Sequence, residues 1–183
     1  ENAEKLLAMP GKDRRTIIIH SQIMRADQLD AYAKHGLLPS FFSNHVYYWG
    51  DVHYANLGPE RAAFISPLAS AFKRGIRATN HTDATVTPTD PMFLLWTSVN
   101  RVTRDGRVLG EAERVTPYQG LQALTVNGAY EYFEEASKGT LEVGKRADFV
   151  VLDKNPIKVE PMAIKEIRVI ETIKDGKRVY PRS

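Results

Sequence analysis

His81 and Asp83 stand two apart in the stretch Ile76-Arg-Ala-Thr-Asn-His-Thr-Asp-Ala-Thr-Val-Thr-Pro88. In an extended chain that spacing turns both side chains to one side. An imidazole and a carboxylate so placed can share a divalent ion, typically zinc, with the neutral ring as ligand. Such an ion brings the pKa of a bound water to roughly 7, and a neighbouring aspartate can take its proton. Alone the pair is a weak signal, because an aspartate ahead of a helix is ordinarily a cap. Two more histidines add weight. The apolar run Thr16-Ile-Ile-Ile ends at His20, and His45 follows the run Leu37 to Phe42. Three runs thus each deliver an ionisable residue at or just past the same end, where parallel α/β sheets keep their chemistry.

Each residue has a plainer reading. His20 could be a hydrogen-bonded histidine at a sheet edge, and His35 and His53 read as solvated. The aromatic stretch Ser43-Asn-His-Val-Tyr-Tyr-Trp-Gly-Asp-Val-His-Tyr54 reads as a long loop. Its rings are costly to leave in water, so it is expected to pack over something. Tyr47, Tyr48 and Trp49 could fill a loop core, but the loop leaves the ionisable edge, so Tyr48 and Trp49 are assigned to a substrate pocket with His45 and His81. The chain has no His-x-His pair and no His-Glu-x-x-His. As a self-contained metal site it is incomplete.

The elements that must hold these residues follow a regular rhythm. A β-branched strand, expected to be buried on both sides, ends at His20, and Arg25 to Lys34 is helix-like with Gly36 as its stop. Leu37 to Phe42 is a second strand marred by Pro39. Pro59 opens a helical segment that Pro67 should break, and Ile76 to Thr79 is the third strand. Strand–helix–strand–helix–strand is the signature of right-handed crossovers in a parallel sheet. Asp90-Pro91 starts a helix to Val102, Thr116-Pro-Tyr-Gln119 is a capping box, and Ala129 to Ala136 adds a short helix. From Lys138 short β runs follow, with Asp175-Gly176 a hairpin turn between the last two. A boundary near 138 separates residues 1–137 from a β module of 138–183.

Composition narrows the function. The 183 residues are 43% hydrophobic and 26% charged, with a net charge of +3 and no cysteine. Basic residues are scattered without interleaved aromatics, which argues against nucleic-acid binding. No apolar run approaches the roughly 18 residues of a membrane helix. Glu1 to Met9 reads as the tail of a helix, and no signal peptide is recognisable. The absence of cysteine rules out thiolate chemistry without deciding the compartment, and the default expectation is cytoplasmic.

The order of motifs resembles the carboxyl-terminal part of the amidohydrolase superfamily. The motifs are Ile-Ile-Ile-His20-Ser-Gln, His45-Val-Tyr-Tyr-Trp-Gly-Asp51, His81-Thr-Asp83-Ala and Lys138-Gly-Thr-Leu-Glu-Val-Gly-Lys-Arg-Ala-Asp-Phe-Val-Val-Leu-Asp153. The branch resembled is amidohydrolase family 3, the N-substituted formamide deformylase-like metal-dependent hydrolases. The resemblance implies an α/β fold: about strands 6–8 of a (β/α)8 TIM-type barrel, plus part of a small β-sandwich. His20 would be the metal ligand ending the sixth barrel strand. Asp83 would be the eighth-strand aspartate that binds metal and acts as catalytic base on an amide-type C–N bond of a small molecule. The remaining ligands would lie upstream of Glu1, so the chain is expected to be a C-terminal fragment, inactive alone. It would need its missing N-terminal half, or a homo-oligomer, to cover open edges. The alternative is a non-catalytic half-barrel that binds a ligand or partner.

Overall fold

The computed structural model describes residues 13–181, so the helical tail read at Glu1 to Met9 lies outside the described residues. Three strands, β1 (Ile17–His20), β2 (Leu38–Phe41) and β3 (Thr79–Asn80), form a parallel sheet in that order. Ile17 is level with Leu38, His20 with Phe41, and Phe41 with Asn80. The crossovers are α1 (Ala26–His35), then α2 (Asn44–Leu57), α3 (Pro59–Ala63) and α4 (Leu68–Lys73). The parallel sheet expected from the rhythm is therefore present, and its carboxyl ends lie together.

Local chemistry explains most boundaries. Gly36 closes α1 at φ 65, and its N–H reaches the Tyr32 carbonyl. That left-handed turn costs glycine nothing. Ser66 and Pro67 separate α3 from α4, as a proline that cannot continue a helix should. Pro39 is tolerated in the central strand for a register reason. The Leu38 N–H donates to Thr16 on the β1 side, so residue 39 faces β3, and β3 begins only at Thr79, opposite Ser40. No ladder bond is lost there.

Three expectations are corrected. The third strand is Thr79–Asn80, two residues long and later than Ile76 to Thr79. The aromatic stretch from Ser43 is not a loop but the 14-residue helix α2. β1 is not buried on both sides: it is an edge strand, and Ile19 is 58% exposed while every residue of β2 is buried.

Helix α5 (Pro91–Asn100) begins as read, with the Asp90 carboxylate accepting the Met92 and Phe93 N–H groups at 3.0 Å. Thr116 and Gln119 cap α6 (Pro117–Leu124) reciprocally. The next helix, α7 (Val126–Glu131), starts three residues before the expected Ala129. Arg101 ends α5 in the left-handed region and is buried. Its guanidinium donates to the carbonyls of Leu109 (2.7 Å), Ile65 (2.9 Å), Ser66 (3.3 Å) and Ala63 (3.3 Å). Burial lowers its pKa to about 10, so it stays charged at neutral pH.

Beyond 138, β4 (Phe149–Leu152), β5 (Val169–Lys174) and β6 (Lys177–Tyr180) make an antiparallel sheet in chain order. Asp175 and Gly176 both have positive φ, the requirement of a tight hairpin turn. Between β4 and β5 the 3₁₀ turn Pro161–Glu166 returns beneath α5. Ile164 and Ile167 are buried there in the same core as Leu29, Phe41, Leu68, Leu95 and Trp96. Residues on both sides of 138 thus share one hydrophobic core.

Candidate active site

His20 is the last residue of β1, and Asp83 lies three residues beyond β3. Their Nε2 and Oδ2 atoms are 3.8 Å apart, and both side chains are about one-third exposed. Both residues adopt left-handed backbone, with φ 65 at His20 and φ 50 at Asp83. Non-glycine residues held there cost of order 1–3 kcal/mol each and persist only where surrounding contacts over-determine them. Those contacts are visible. The Asp83 N–H donates to His81 Nδ1 at 3.1 Å, and the His81 N–H donates to the Phe41 carbonyl at 2.9 Å.

Phe42, fully buried, is the hub of the cluster. Its ring centroid lies 5.9 Å from His20, 4.3 Å from His45, 5.4 Å from His81 and 6.1 Å from Trp49. His81 stacks on His20 at 5.1 Å, and His45 meets His20 edge-on at 5.6 Å. Burial lowers the pKa of His81, with the charge of His20 acting the same way. Burial likewise pushes His45 down to about 4, reinforced by His20, His53 and His81. Both rings are neutral at pH 7.

Because α2 is a helix, its residues sort by face. Val46 and Gly50 point inward, and a Cβ on Gly50 would meet the Thr103 side chain at 2.7 Å. The Asp51 carboxylate accepts the Thr103 hydroxyl at 2.7 Å, tying the same side down. His45, Trp49 and His53, spaced i, i+4, i+8, then form one stripe along the sheet end. His45 lies 5.6 Å from Trp49 and 6.3 Å from His53. Tyr48 falls on the adjacent stripe, against Tyr47, Phe93 and the Arg104 guanidinium. The helix therefore brings His45 and Trp49 to the cluster with His20, His81 and Asp83, and leaves Tyr48 at its flank.

Sequence reasoning passed over several participants. His53, read as solvated, is half-buried and bonded through Nε2 to Gln22 at 2.6 Å. The four-residue spacing from Trp49 was the available signal, and it is meaningless in a loop. Asn80 locks the strand ends by accepting the Ser43 N–H and hydroxyl at 3.0 and 3.1 Å. Asn44 bridges the Thr87 and Thr97 hydroxyls, each at 3.0 Å, joining α2 to the loop after Asp83 and to α5.

Two donors each about 2.0–2.2 Å from one ion can lie up to roughly 4.3 Å apart, so the His20–Asp83 spacing suits a shared ion. His20 Nδ1 is buried and has no partner among the described residues, the place where a metal-ligating histidine is ordinarily held. Among the described residues no three His, Cys, Asp or Glu side chains converge closely enough to hold an ion. The residues present fit a metal as part of a ligand set. A groove of roughly 930 Å³ lies elsewhere, between α6–α7 and β4, lined by Leu121, Leu124, Tyr132, Leu141, Phe149 and Ile157 among others. It contains none of the histidines.

The sequence pattern of the amidohydrolase family matches residues 2–180. The chain belongs to the amidohydrolase family. It is 30% identical over 136 residues to the N-substituted formamide deformylase of Arthrobacter pascens, covering 74% of this chain and 25% of that protein. It is 24% identical over 181 residues to YtcJ of Bacillus subtilis (strain 168), covering 95% of this chain and 34% of that protein. An uncharacterized metal-dependent hydrolase from Pyrococcus furiosus superposes with a TM-score of 0.67 at 27% identity, over 79% of this chain and 29% of that one. The chain thus spans a quarter to about a third of the length of these relatives. Among the described residues, no helix of this family member is long and apolar enough to cross a membrane.

Proposed function

We propose that this chain is the carboxyl-terminal part, about strands 6–8, of a metal-dependent hydrolase barrel that cleaves amide-type C–N bonds in small molecules. The observation that carries the reading is the 3.8 Å approach of His20 Nε2 and Asp83 Oδ2 at the shared carboxyl edge of the sheet. Relatives named as a formamide deformylase and a metal-dependent hydrolase support it. His20 and Asp83 would hold a divalent ion, zinc by its preference for imidazole and carboxylate. When bound, such an ion supplies Lewis acidity and lowers the pKa of water. The chain's own residues do the rest. Asp83 accepts a proton from the attacking water and returns it to the departing nitrogen. His45 and Trp49 form the wall met by the substrate, with Tyr48 at its outer flank. His81 packs against His20 and holds the Asp83 N–H.

The remaining ligands would come from a further segment of the same protein or from a second copy, which would also cover the open edges of β1 and β4. We divide the chain near 138 into a barrel part and a β-sandwich part, with residues 161–167 lent back to the barrel core. The test is to assay the chain alone and joined to the rest of its protein, with zinc added or chelated. Metal-dependent amide hydrolysis should appear only in the joined, metal-loaded protein. Robust turnover by the 183 residues alone, or chelator-resistant turnover by the joined protein, refutes the reading. A second reading, a non-catalytic binding module, draws on the lack of three converging ligands among the described residues. It predicts zinc binding no tighter in the joined protein than in the chain alone.

A further inference from the structure

We infer that His81 is a positioning residue that sets both His20 and Asp83, and neither binds the metal nor touches the substrate. The inference rests on the metal-site reading above and goes further, giving one imidazole two jobs. Its Nδ1 accepts the Asp83 N–H at 3.1 Å, and its ring stacks on His20 at 5.1 Å with planes 29° apart. The two residues it contacts are the two proposed ligands, and both hold left-handed backbone. The N–H···Nδ1 bond spans two residues, so it fixes the turn that carries the Asp83 carboxylate toward His20.

The same bond settles what His81 cannot do. An accepting Nδ1 carries no proton, so the proton of the neutral ring sits on Nε2. Nδ1 has its lone pair engaged and Nε2 has none to offer, so neither nitrogen is free to ligate a metal. Nε2 is also shut off from solvent, with no partner among the described residues. What remains is support: Phe42 and His20 packed against the ring at 5.4 and 5.1 Å, and Asp83 held through its backbone.

Two substitutions separate the acceptor from the ring. Asparagine can accept the N–H of the residue two positions on, in an Asx turn, but cannot stack as imidazole does. Phenylalanine keeps a stacking ring and has no acceptor. The experiment uses the full-length protein, stripped of metal. It reads Asp83 amide hydrogen exchange by fragment-resolved mass spectrometry, zinc affinity by chelator competition and, once zinc is restored, kcat and KM with formanilide as probe.

His81→Asn should keep the Asp83 amide protected and zinc affinity within about threefold. His81→Phe should expose that amide and lose about 10–100-fold in zinc affinity, as loss of an outer-shell partner does. Its kcat should fall with KM unchanged. A raised KM with intact zinc affinity in His81→Phe would make His81 a substrate contact and overturn the inference. So would equal damage from both variants, because the acceptor would then not be what matters. If wild type and variants alike bind no zinc, the metal reading fails. The exchange rate still decides the positioning role, which is refuted if His81→Phe leaves the Asp83 amide protected.

Discussion

The parallel sheet buries its second and third strands and gathers polar chemistry at one edge, while the antiparallel sheet exposes apolar side chains along its strands. Every residue of β2 is buried, and three imidazoles and an indole crowd around Phe42 at its end. In β4, by contrast, Phe149, Val150 and Val151 are 39–51% exposed, and among the described residues the strand pairs only with β5. No histidine follows residue 81. Polar groups are costly to bury and are found where function needs them. Apolar groups are costly to expose and are left so where another surface covers them. The first sheet gathers a candidate site at its edge, and the second leaves an apolar face open.

The strongest way to break this contrast is Asp83→Asn in the full-length protein. An amide cannot accept the proton, so kcat should fall about 10²–10⁴-fold with the fold intact by circular dichroism. Retained turnover would remove the catalytic meaning of the polar edge. Phe42→Ala comes next. It deletes a fully buried ring that touches three histidines, and a loss of about 3–5 kcal/mol is expected in urea unfolding. Val150→Ala on the exposed sheet should cost less than about 0.5 kcal/mol. Comparable costs would mean that the two sheets are equally organised.

Much of this was legible because local chemistry is strong where it occurs. Asp90-Pro91, Thr116 to Gln119, Gly36 and Asp175-Gly176 each specify a cap or a turn through backbone groups within a few residues, so neighbours suffice to read them. His20 and Asp83 could be nominated because strand ends carry them. The stretch from His45 to Tyr54 could not be read so. Its aromatic residues have strong strand and loop associations, and only packing of Val46 and Gly50 against Leu109 and Thr103 makes a helix of it. His53 was lost with that helix. Ile19 misled for the opposite reason: β-branched residues announce a strand but not how many neighbours it has.

Acid should find the histidine end first. His45 is held at about 4, below the roughly 6.5 of an unfolded histidine, so the folded state binds fewer protons between those values. Its contribution to stability is complete above pH 6.5 and is lost as pH falls toward 4. The loss is on the order of 1–2 kcal/mol once solvent screening is allowed for. His45→Gln should flatten that limb of a stability-against-pH curve, and an unchanged limb would assign it elsewhere. The smallest effect on stability is expected from Val150→Lys, within about 0.5 kcal/mol. Light scattering of the isolated chain should nevertheless show less self-association, since a lysine on an open edge discourages strand pairing.

Arg101 has a consequence of its own. Its guanidinium is clasped by carbonyls from residues 63, 65, 66 and 109, so two segments more than 40 positions apart share one buried cation. A Cβ on Gly110 would overlap the Ala63 carbonyl oxygen, so the clasp closes without slack. Neither segment can open alone without stranding a charge in a medium that solvates it poorly. Their amides should therefore exchange with solvent in step, as one cooperative unit, and release of the 103–110 turn should be the event that frees the Gly50–Asp51 face of α2.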